Sequence, residues 1–457
     1  MNISGAFVGP RYRQSVRLGA ALLMAVLGLT STTAVAYWEV IPEVDAGATY
    51  EDNPRYLSDS SSAAAEAAAP GIADDAMGVF VDTRLNVSYL TPGNEIRITP
   101  QVRKTDYLKS NADLNSDLWL VNLLATHKDQ RGSVGISASY RETGVRNSEY
   151  ESATPEDPNA PPGASGGSGR FAGDDTQTTK DVQPFLSYTL SPRNTVELSF
   201  SASDAEYEQN INPNLPPDLP QTRSYFDYTY EQTVLAINHY LNDKNFLQIA
   251  LNGGSFDSEQ PDSPFTNSTD SFGVNAAYNV AITPTLSANA KVGVTRSSVE
   301  LKGLSRDPLT GAFCPEDALC SASDDDRNFL GDIGLRKRSE LTSLNFNVSR
   351  SLAPSSNGTE VVRDQFRFYV DRTLTQRLNL GAAAIYSEET AVAGPDRAYR
   401  TYLTVDTTVR WRLTETLSTY GTFTYVSNKY DVSTANSEAT NNRLYVGFSY
   451  RGVGFRR

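Results

Sequence analysis

The feature that most constrains this chain is an alternation of apolar and polar residues with a period of two, which recurs along most of its length. The segment 79–89 places Val79 and Val81 on one face and Asp82 and Arg84 on the other. Successive side chains of a β-strand point to opposite faces, so this period predicts strands and not helices. The pattern recurs in the segments 133–141, 195–203, 272–280, 286–295, 403–413 and 443–451.

The two faces and the connections together predict a transmembrane β-barrel. The polar face carries Ser, Thr, Asn, Gly and Arg, which suit a confined aqueous lumen, and the apolar face ends in Tyr, as an interfacial aromatic girdle requires. Tight connections such as Pro92–Asn94 and Ser191–Asn194 alternate with long ones such as 151–175 and 302–327. Outer-membrane barrels have short turns at one rim and long loops at the other. We therefore expect an all-β, antiparallel, up-and-down barrel.

The expected number of strands follows from parity. Both termini of a single-chain barrel of this kind lie on the same side of the membrane, so the number of strands is even. A first count gives seventeen, and a further strand at Asn328–Arg336 raises it to eighteen, with a tight turn at Lys337–Ser339 and an external loop at Leu352–Thr359. Sixteen strands are the alternative if Trp38–Asn53 and one weak segment stay outside the wall.

The start of the chain predicts a secretory signal. A basic lead-in precedes the apolar run Leu18–Leu29, which is short for a membrane span, and a small-residue cleavage motif ends with Ala34 and Ala36. We predict a cleaved segment at 1–36, a single barrel domain at 37–457, and export to the cell outer membrane.

Composition disfavours several classes of function. The chain has only 2 His and 2 Cys in 457 residues, and its formal net charge is -14. Catalytic and metal sites draw on His and Cys, and nucleic acids need a basic surface. We therefore expect no enzyme activity, no cofactor, no resident metal ion and no nucleic-acid partner.

Three smaller features have specific interpretations. His127 and His239, with neighbouring serines, are the only basis for the less favoured alternative of a barrel-embedded lipid hydrolase. The run Asp324–Asp326 is interpreted as a solvated charge run in a loop, with cation binding as the alternative. Cys314 and Cys320 enclose five residues of an acidic loop, and in an exported protein this spacing predicts a local disulfide.

Charged residues on the polar face form the candidate site. The residues predicted to line the pore are Arg84, Arg97, Arg103, Arg141, Arg367, Arg410, Arg412, Arg451, Asp82, Glu95, Glu197 and Asp406. One interpretation is that they form cross-strand ion pairs that stiffen the barrel, and the other is that they create a field that guides an anionic solute or polysaccharide. Arginine suits the second role because it stays charged and binds a carboxylate through two parallel hydrogen bonds.

Four segments resemble outer-membrane β-barrel proteins encoded in exopolysaccharide export operons. They are Trp38–Leu57, with its Y-x-D-N motif, Leu344–Gly358, which contains S-R-S-x-x-P-S-x-x-G, Tyr402–Asp431 and Asn441–Gly452. The resemblance implies an exit pore for secreted polysaccharide, export partners in the periplasm and inner membrane, and no catalytic residues. The end of the chain departs from the usual terminal aromatic residue, because Arg456 and Arg457 follow Phe455.

We therefore predict an outer-membrane porin or channel, either an exit pore for a secreted polysaccharide or a diffusion pore for anionic solutes. The expected partners are outer-membrane lipid, lipopolysaccharide, the barrel assembly machinery and periplasmic polysaccharide export components. The pattern is compatible with a monomer and with a trimer. The alternative is a structural or adhesive surface barrel whose external loops carry the function.

Overall fold

The protein folds as a closed antiparallel β-barrel of eighteen strands, as the alternation predicted. The structure is a computed structural model that describes residues 36–54, 75–108, 114–145, 175–208, 225–259, 265–304, 314, 320–392, 399–432 and 435–456. The predicted signal segment up to position 35, with Ala34 of its cleavage motif, lies outside these residues. No helix in the described part of the chain is long and apolar enough to cross a membrane.

The strands are long compared with the nine to eleven residues, roughly, that a tilted strand needs to cross a bilayer. The shortest have 13 residues and the longest 19. Their bounds are β1 (Tyr37–Glu51), β2 (Ala76–Leu90), β3 (Asn94–Tyr107), β4 (Ser116–Lys128), β5 (Gly132–Gly144), β6 (Thr176–Ser191), β7 (Asn194–Glu208), β8 (Asp227–Asn242), β9 (Asn245–Glu259), β10 (Thr266–Thr283), β11 (Leu286–Leu304), β12 (Cys320–Arg338), β13 (Thr342–Ser355), β14 (Thr359–Thr373), β15 (Leu378–Ala391), β16 (Tyr399–Arg412), β17 (Leu417–Val432) and β18 (Ala435–Arg451).

The barrel closes at β1, which pairs with β2 along its whole length and with β18 from Glu43 to Glu51. A two-residue extension, Phe455–Arg456, continues β18 along the same edge of β1. The break between β18 and this extension lies beside Pro42, which has no backbone N–H to donate across the ladder. The alternative of sixteen strands is therefore wrong, because the segment that begins at Trp38 is the strand that closes the wall.

All connections at one end of the barrel are tight, whereas the other end has the long connections together with two short ones, after β13 and after β17. The end that carries both chain ends of the barrel and eight tight turns is called the turn rim, and the opposite end is called the loop rim. Side-chain hydrogen bonds shape the turns: the backbone N–H groups of Arg131 and Gly132 donate to Asp129 at 2.7 and 2.6 Å. In bacterial barrels the short turns face the periplasm and the long loops face outward.

Two predicted loops are instead strands. The predicted external loop at Leu352–Thr359 is wrong, because β13 continues to Ser355 and β14 begins at Thr359 after a short turn. The run Asp324–Asp326, which was predicted to lie in a loop, lies within β12. Neither segment shows the period of two, because Asp324–Asp326 is polar on both faces and Leu352–Pro354 is apolar on both.

An exposed apolar belt encircles the outer face. Each of the eighteen strands contributes at least one large hydrophobic residue to the exposed surface, and the most exposed in mid-strand include Phe272 at 64% and Ile249 at 62%. Soluble proteins do not expose continuous apolar surface of this extent. A belt that surrounds the molecule needs an apolar solvent on all sides, so the chain is a transmembrane barrel of the outer-membrane type.

The alternate residues face the lumen. Arg103 on β3 lies over the rings of Phe80 on β2 and Tyr445 on β18, at 4.8 and 5.5 Å from the ring centroids. This contact reaches past β1, which lies between β2 and β18. Only the concave side of a closed sheet brings side chains together over such a span, so Arg103 and its partners face the interior.

A buried ion pair joins the two strands that close the barrel. Arg443 Nε on β18 lies 3.1 Å from Glu51 Oε2 on β1, and these side chains are only 2% and 1% exposed. Asn441 Nδ2 donates to the same carboxylate at 3.1 Å, and the Tyr107 hydroxyl also donates to it. The loop-rim end of the closure therefore contains a buried carboxylate that three side chains contact.

We predict that Arg443→Gln lowers the temperature at which the folded barrel loses its characteristic mobility in detergent gels. Removal of one partner leaves the Glu51 carboxylate buried and uncompensated, at a cost on the order of 3–5 kcal/mol. Arg97→Gln is the matched control, since its pair with Glu95 is exposed and contributes about 0–1 kcal/mol. Equal melting of both variants would contradict a closure that depends on the buried pair.

Candidate functional site

The twelve residues predicted to line the pore all lie on the lumen face of the strands. Their outward neighbours are exposed apolar residues, for example Val81 beside Asp82 and Val409 beside Arg410. The eight arginines lie on β2, β3, β5, β14, β16 and β18. Because β18 pairs with β1, the strands β14–β18 and β1–β5 form one continuous part of the barrel, about half of its circumference. This part is called the arginine wall.

A polar chain runs across β2 and β3 in the arginine wall. Arg84 Nη2 donates to Gln101 Oε1 at 3.1 Å, and Gln101 Nε2 donates to the two carboxylate oxygens of Asp82 at 3.0 and 2.8 Å. The amide of Gln101 therefore separates a guanidinium from a carboxylate that would otherwise neutralise it. Arg84 is held in a fixed place and keeps its charge toward the lumen.

Two arginines rest on aromatic rings. Arg103 lies over Phe80 and Tyr445, and Arg410 lies 5.9 Å from the ring centroid of Tyr420. A guanidinium is attracted to an aromatic face and keeps its edge donors available when it stacks there. Neither arginine forms an ion pair within 4 Å with a described residue, although Asp82 lies opposite Arg103 in the ladder and attracts it.

The predicted ion pairs occur at the turn-rim end of the lumen. Arg97 Nη2 lies 2.7 Å from Glu95 Oε1, and Arg451 Nε on β18 lies 3.3 Å from Glu43 Oε1 on β1. The interpretation as ion pairs therefore holds for these two arginines. Pairing occurs near the turns, and stacked or amide-held arginines lie farther inside.

The remaining predicted residues are distributed around the wall. Asp406 is buried and accepts a hydrogen bond from Thr424 Oγ1 at 2.6 Å. Arg141, Arg367 and Arg412 occupy lumen-facing register positions on β5, β14 and β16, and Glu197 lies across the lumen on β7.

Sequence reasoning missed the aromatic residues of the arginine wall. Phe80, Tyr420 and Tyr445 occupy positions of the polar face, as do Tyr369 and Tyr402. The available signal was an aromatic residue out of phase with the apolar face. Such residues contribute flat surfaces on which a guanidinium or another planar or ring-shaped group can stack.

The opposite half of the lumen is lined mainly by neutral polar groups. Gln248 Nε2 on β9 donates to Asn238 Oδ1 on β8 at 2.9 Å, and Asn275 Nδ2 on β10 donates to Asn252 Oδ1 on β9 at 3.4 Å. Serines on β7 and β10 extend this surface. This surface of β7–β10 is called the amide wall.

A hairpin formed by the ends of β13 and β14 separates from β12 and folds into the mouth of the barrel, while β14 stays paired with β15 as far as Val361 and Ala391. The pairing of β13 with β12 ends at Arg350, although β12 continues to Cys320 and β13 stays paired with β14 as far as Ser355. The residues 351–363 are called the inward hairpin. Its Leu352 and Val362 pack in one cluster with Val299 and Leu301 from the inner face of β11.

The tip of the inward hairpin docks onto β8–β10 at the loop rim. The Gly358 carbonyl accepts hydrogen bonds from Ser258 Oγ and Asn267 Nδ2, both at 2.8 Å. The Phe226 backbone N–H donates to the Ser356 carbonyl at 3.0 Å. The hairpin thus spans the inner side of β9–β12 and narrows the external mouth.

Glu360 lies in the contact between the inward hairpin and the wall. It is beyond the apolar belt, since Phe366 is the nearest exposed apolar residue on the outer face of β14. Burial raises the pKa of Glu360 from its ordinary value of 4.5 to about 7. Burial, and secondarily the charge of Glu360, also raises the pKa of Tyr230 on β8.

Other sequence candidates do not assemble into a chemical site in the described part of the chain. His127 and His239 lie at the turn rim, where each Nδ1 is hydrogen-bonded to an asparagine, Asn94 at 2.8 Å and Asn194 at 2.9 Å. Asp325 and its two neighbours alternate between the faces of β12 and do not converge. No group of three or more His, Cys, Asp or Glu among the described residues is placed to hold a metal ion.

The two cysteines are joined. Cys314 and Cys320 form a disulfide with a Cα–Cα distance of 5.8 Å, and Cys320 is the first residue of β12. The bridge closes a small loop at the loop rim.

No family model and no curated protein matches the chain. Solved structures similar to it include the ferric-catecholate import receptor Fiu from E. coli K12 in its open form, at 9% identity over 91% of this chain and 81% of that chain with a TM-score of 0.43. They also include the siderophore receptor PirA from Pseudomonas aeruginosa, at 10% identity over 93% of this chain and 81% of that chain with a TM-score of 0.41. A third is the FrpB iron transporter from Neisseria meningitidis, at 6% identity over 94% of this chain and 82% of that chain with a TM-score of 0.45. Similarity of this degree says nothing about cargo, and the resemblance to exopolysaccharide-export barrels stays a prediction.

We predict that Gly358→Val releases the inward hairpin and increases single-channel conductance in planar bilayers. Gly358 has a φ of 77°, and a Cβ there would lie 2.6 Å from the Phe226 ring. Gly303→Val is the control, because Gly303 also has a φ of 77° but is not part of the hairpin. If both variants conduct like the wild type, the hairpin does not limit the mouth.

We predict that the hairpin undocks more readily as pH rises. The carboxyl of Glu360 has a pKa of about 7 when the hairpin is docked and near 4.5 when it is solvated. Below pH 4.5 the group is neutral in both states, so its burial does not destabilise docking. Between the two pKa values the free-energy cost of burying the carboxylate grows with pH, and above the higher pKa it reaches its full value of roughly 3 kcal/mol. Conductance should therefore rise between pH 5 and about 7.5 in the wild type and be nearly flat in Glu360→Gln. A wild-type profile that matches the variant's would contradict this linkage.

Proposed function

We propose that the protein is an outer-membrane channel that conducts an acidic polysaccharide, with the arginine wall as the surface that guides it. The single observation that carries this proposal is the pair of stacked arginines, Arg103 and Arg410, which face the lumen on aromatic rings and form no ion pair within 4 Å with a described residue. Fixed positive charge along an aqueous path favours entry of anions, and a guanidinium binds carboxylates with defined geometry.

The two unlike walls support a sugar polymer over a simple ion. The amides and hydroxyls of the amide wall can exchange hydrogen bonds with sugar hydroxyls, as Gln248 and Asn275 do with neighbouring amides. The rings of Tyr420 and Tyr445 on the arginine wall offer apolar faces to the C–H faces of sugar rings. A chain that carries both hydroxyl and carboxylate groups matches both walls at once. The resemblance of Leu344–Gly358 to exopolysaccharide-export barrels supports the same substrate class.

Two other functions are favoured by specific observations. A diffusion pore for small anionic solutes would use the same arginine charge and would not need the amide wall. A structural or adhesive barrel is favoured by the inward hairpin, because its docking on β8–β10 fills part of the mouth. The three functions differ in whether ions pass and in whether a sugar polymer interrupts their passage.

We predict that the purified barrel in planar bilayers conducts ions with a preference for anions, and that acidic oligosaccharides block the current. Alginate oligomers should interrupt conductance, whereas neutral malto-oligomers of equal length should do so far less. In Arg103→Gln/Arg410→Gln, the chloride-to-potassium permeability ratio should fall by about twofold and the block should weaken by about tenfold, since a charge-assisted hydrogen bond is worth roughly 1.5–3 kcal/mol.

The matched control is Lys104→Gln/Arg350→Gln, which removes two cations from the outer face of the barrel and leaves the lumen unchanged. Clear cation preference of the wild type would overturn the anion-guiding role. Anion conductance with no oligosaccharide block would favour the diffusion pore. Absence of conductance in the wild type and in the Gly358→Val variant would favour the structural barrel.

Deletion of the gene in its source bacterium tests the proposal in cells. The proposal expects less acidic polysaccharide in the medium and on the surface, with recovery by the wild-type gene and weaker recovery by the Arg103→Gln/Arg410→Gln gene. Unchanged polysaccharide in the deletion strain would contradict an exit-pore role.

A further inference from the structure

Two arginines lie directly opposite each other on the outer face of the barrel. Arg296 on β11 and Arg327 on β12 are register partners in the antiparallel ladder. The next outward pair toward the turn rim is Val294 and Phe329, which are 50% and 59% exposed. The two arginines therefore lie at the upper border of the apolar belt, at the height where lipid headgroups begin.

Like charges directly opposite each other destabilise an antiparallel pair of strands. Part of this repulsion is relieved by Asp325, whose carboxylate lies 2.6 Å from Arg296 Nη2. Hydrogen bonds from Arg296 and Ser298 lower the pKa of Asp325, so the carboxylate stays ionised and committed to Arg296. Arg327 is also attracted by Asp325 but forms no ion pair within 4 Å with any described residue, and the group of Arg296, Arg327 and Asp325 carries one net positive charge.

Two other outward cations at this border have acidic partners. Lys180 lies 2.8 Å from Glu206 and 3.4 Å from Asp204, and Arg350 lies 3.2 Å from Asp364. In a chain with a net charge of -14 acids are plentiful, yet none of the described ones pairs with Arg327. The guanidinium donors of Arg327 are thus available to a ligand outside the protein, and those of Arg296 lie beside them.

We propose that Arg296 and Arg327 bind a phosphate group of a lipid A headgroup, with its acyl chains against Val294 and Phe329. The loop rim faces outward, so the lipid at this border is the phosphorylated glycolipid of the outer leaflet. A phosphate between two guanidinium groups removes their repulsion and accepts several charge-assisted hydrogen bonds. The apolar residues below the arginines are placed to contact the hydrocarbon that follows such a headgroup.

The test is native mass spectrometry of the full-length barrel, purified in a mild detergent and titrated with lipid A that carries both phosphates. Arg296→Gln/Arg327→Gln should lower the bound lipid A at a given concentration by at least about fivefold. Lys180→Gln is the matched control, because this lysine is also an outward cation at the border but already has two acidic partners. Heat-dependent gel mobility confirms that each variant is a folded barrel.

Two further arms identify the ligand. Lipid A from which the phosphates have been removed should bind the wild type no better than phosphorylated lipid A binds the double variant. Inorganic phosphate alone, at the same concentrations, should leave the melting temperature of the barrel unchanged. The proposal is overturned if the double variant keeps wild-type lipid A binding, if phosphate-free lipid A binds equally well, or if inorganic phosphate binds these arginines without lipid.

Discussion

In the hydrocarbon core of a bilayer, a backbone N–H or C=O group has no water to bond, so each one needs a partner within the protein. This barrel meets the requirement by bringing its first strand back against its last, and the pairing of β1 with both β2 and β18 leaves the membrane-spanning wall without a free edge. The composition follows from the same requirement. A strand in such a wall is apolar on one face only, because its other face meets the aqueous lumen.

Eighteen strands enclose a space too wide for side chains to fill. The protein treats this space differently at different heights. Near the turns, charges pair with each other; farther inside, Arg103 and Arg410 rest on rings; at the loop rim, Glu51 and Arg443 are buried together. The mouth is narrowed by the backbone of the inward hairpin and not by side chains of the wall. The interior is therefore neither a packed core nor a uniform tube.

The period of two made the fold predictable, because register in a closed sheet assigns each residue to the lumen or to the lipid. It correctly placed Arg84, Arg410 and Asp406 inside and counted β12 as a strand. The period of two could not predict contacts between strands that are distant in sequence. The stacking of Arg103 on Tyr445 joins β3 to β18, and the hydrogen bonds at Gly358 join the β13–β14 turn to β9 and β10. Local pattern contains no information about such pairs.

The inward hairpin also has a consequence for β12, the strand from which it separates. Beyond the pair of Gly331 and Arg350, β12 has β11 on one side and no strand partner on the other within the described part of the chain. Ser351 to Ser355 would regain a ladder there if they swung back, at the expense of the contacts made by Gly358 and Glu360. This stretch of backbone cannot make both sets of contacts at once, so the docked hairpin narrows the mouth and leaves one edge of β12 unpaired.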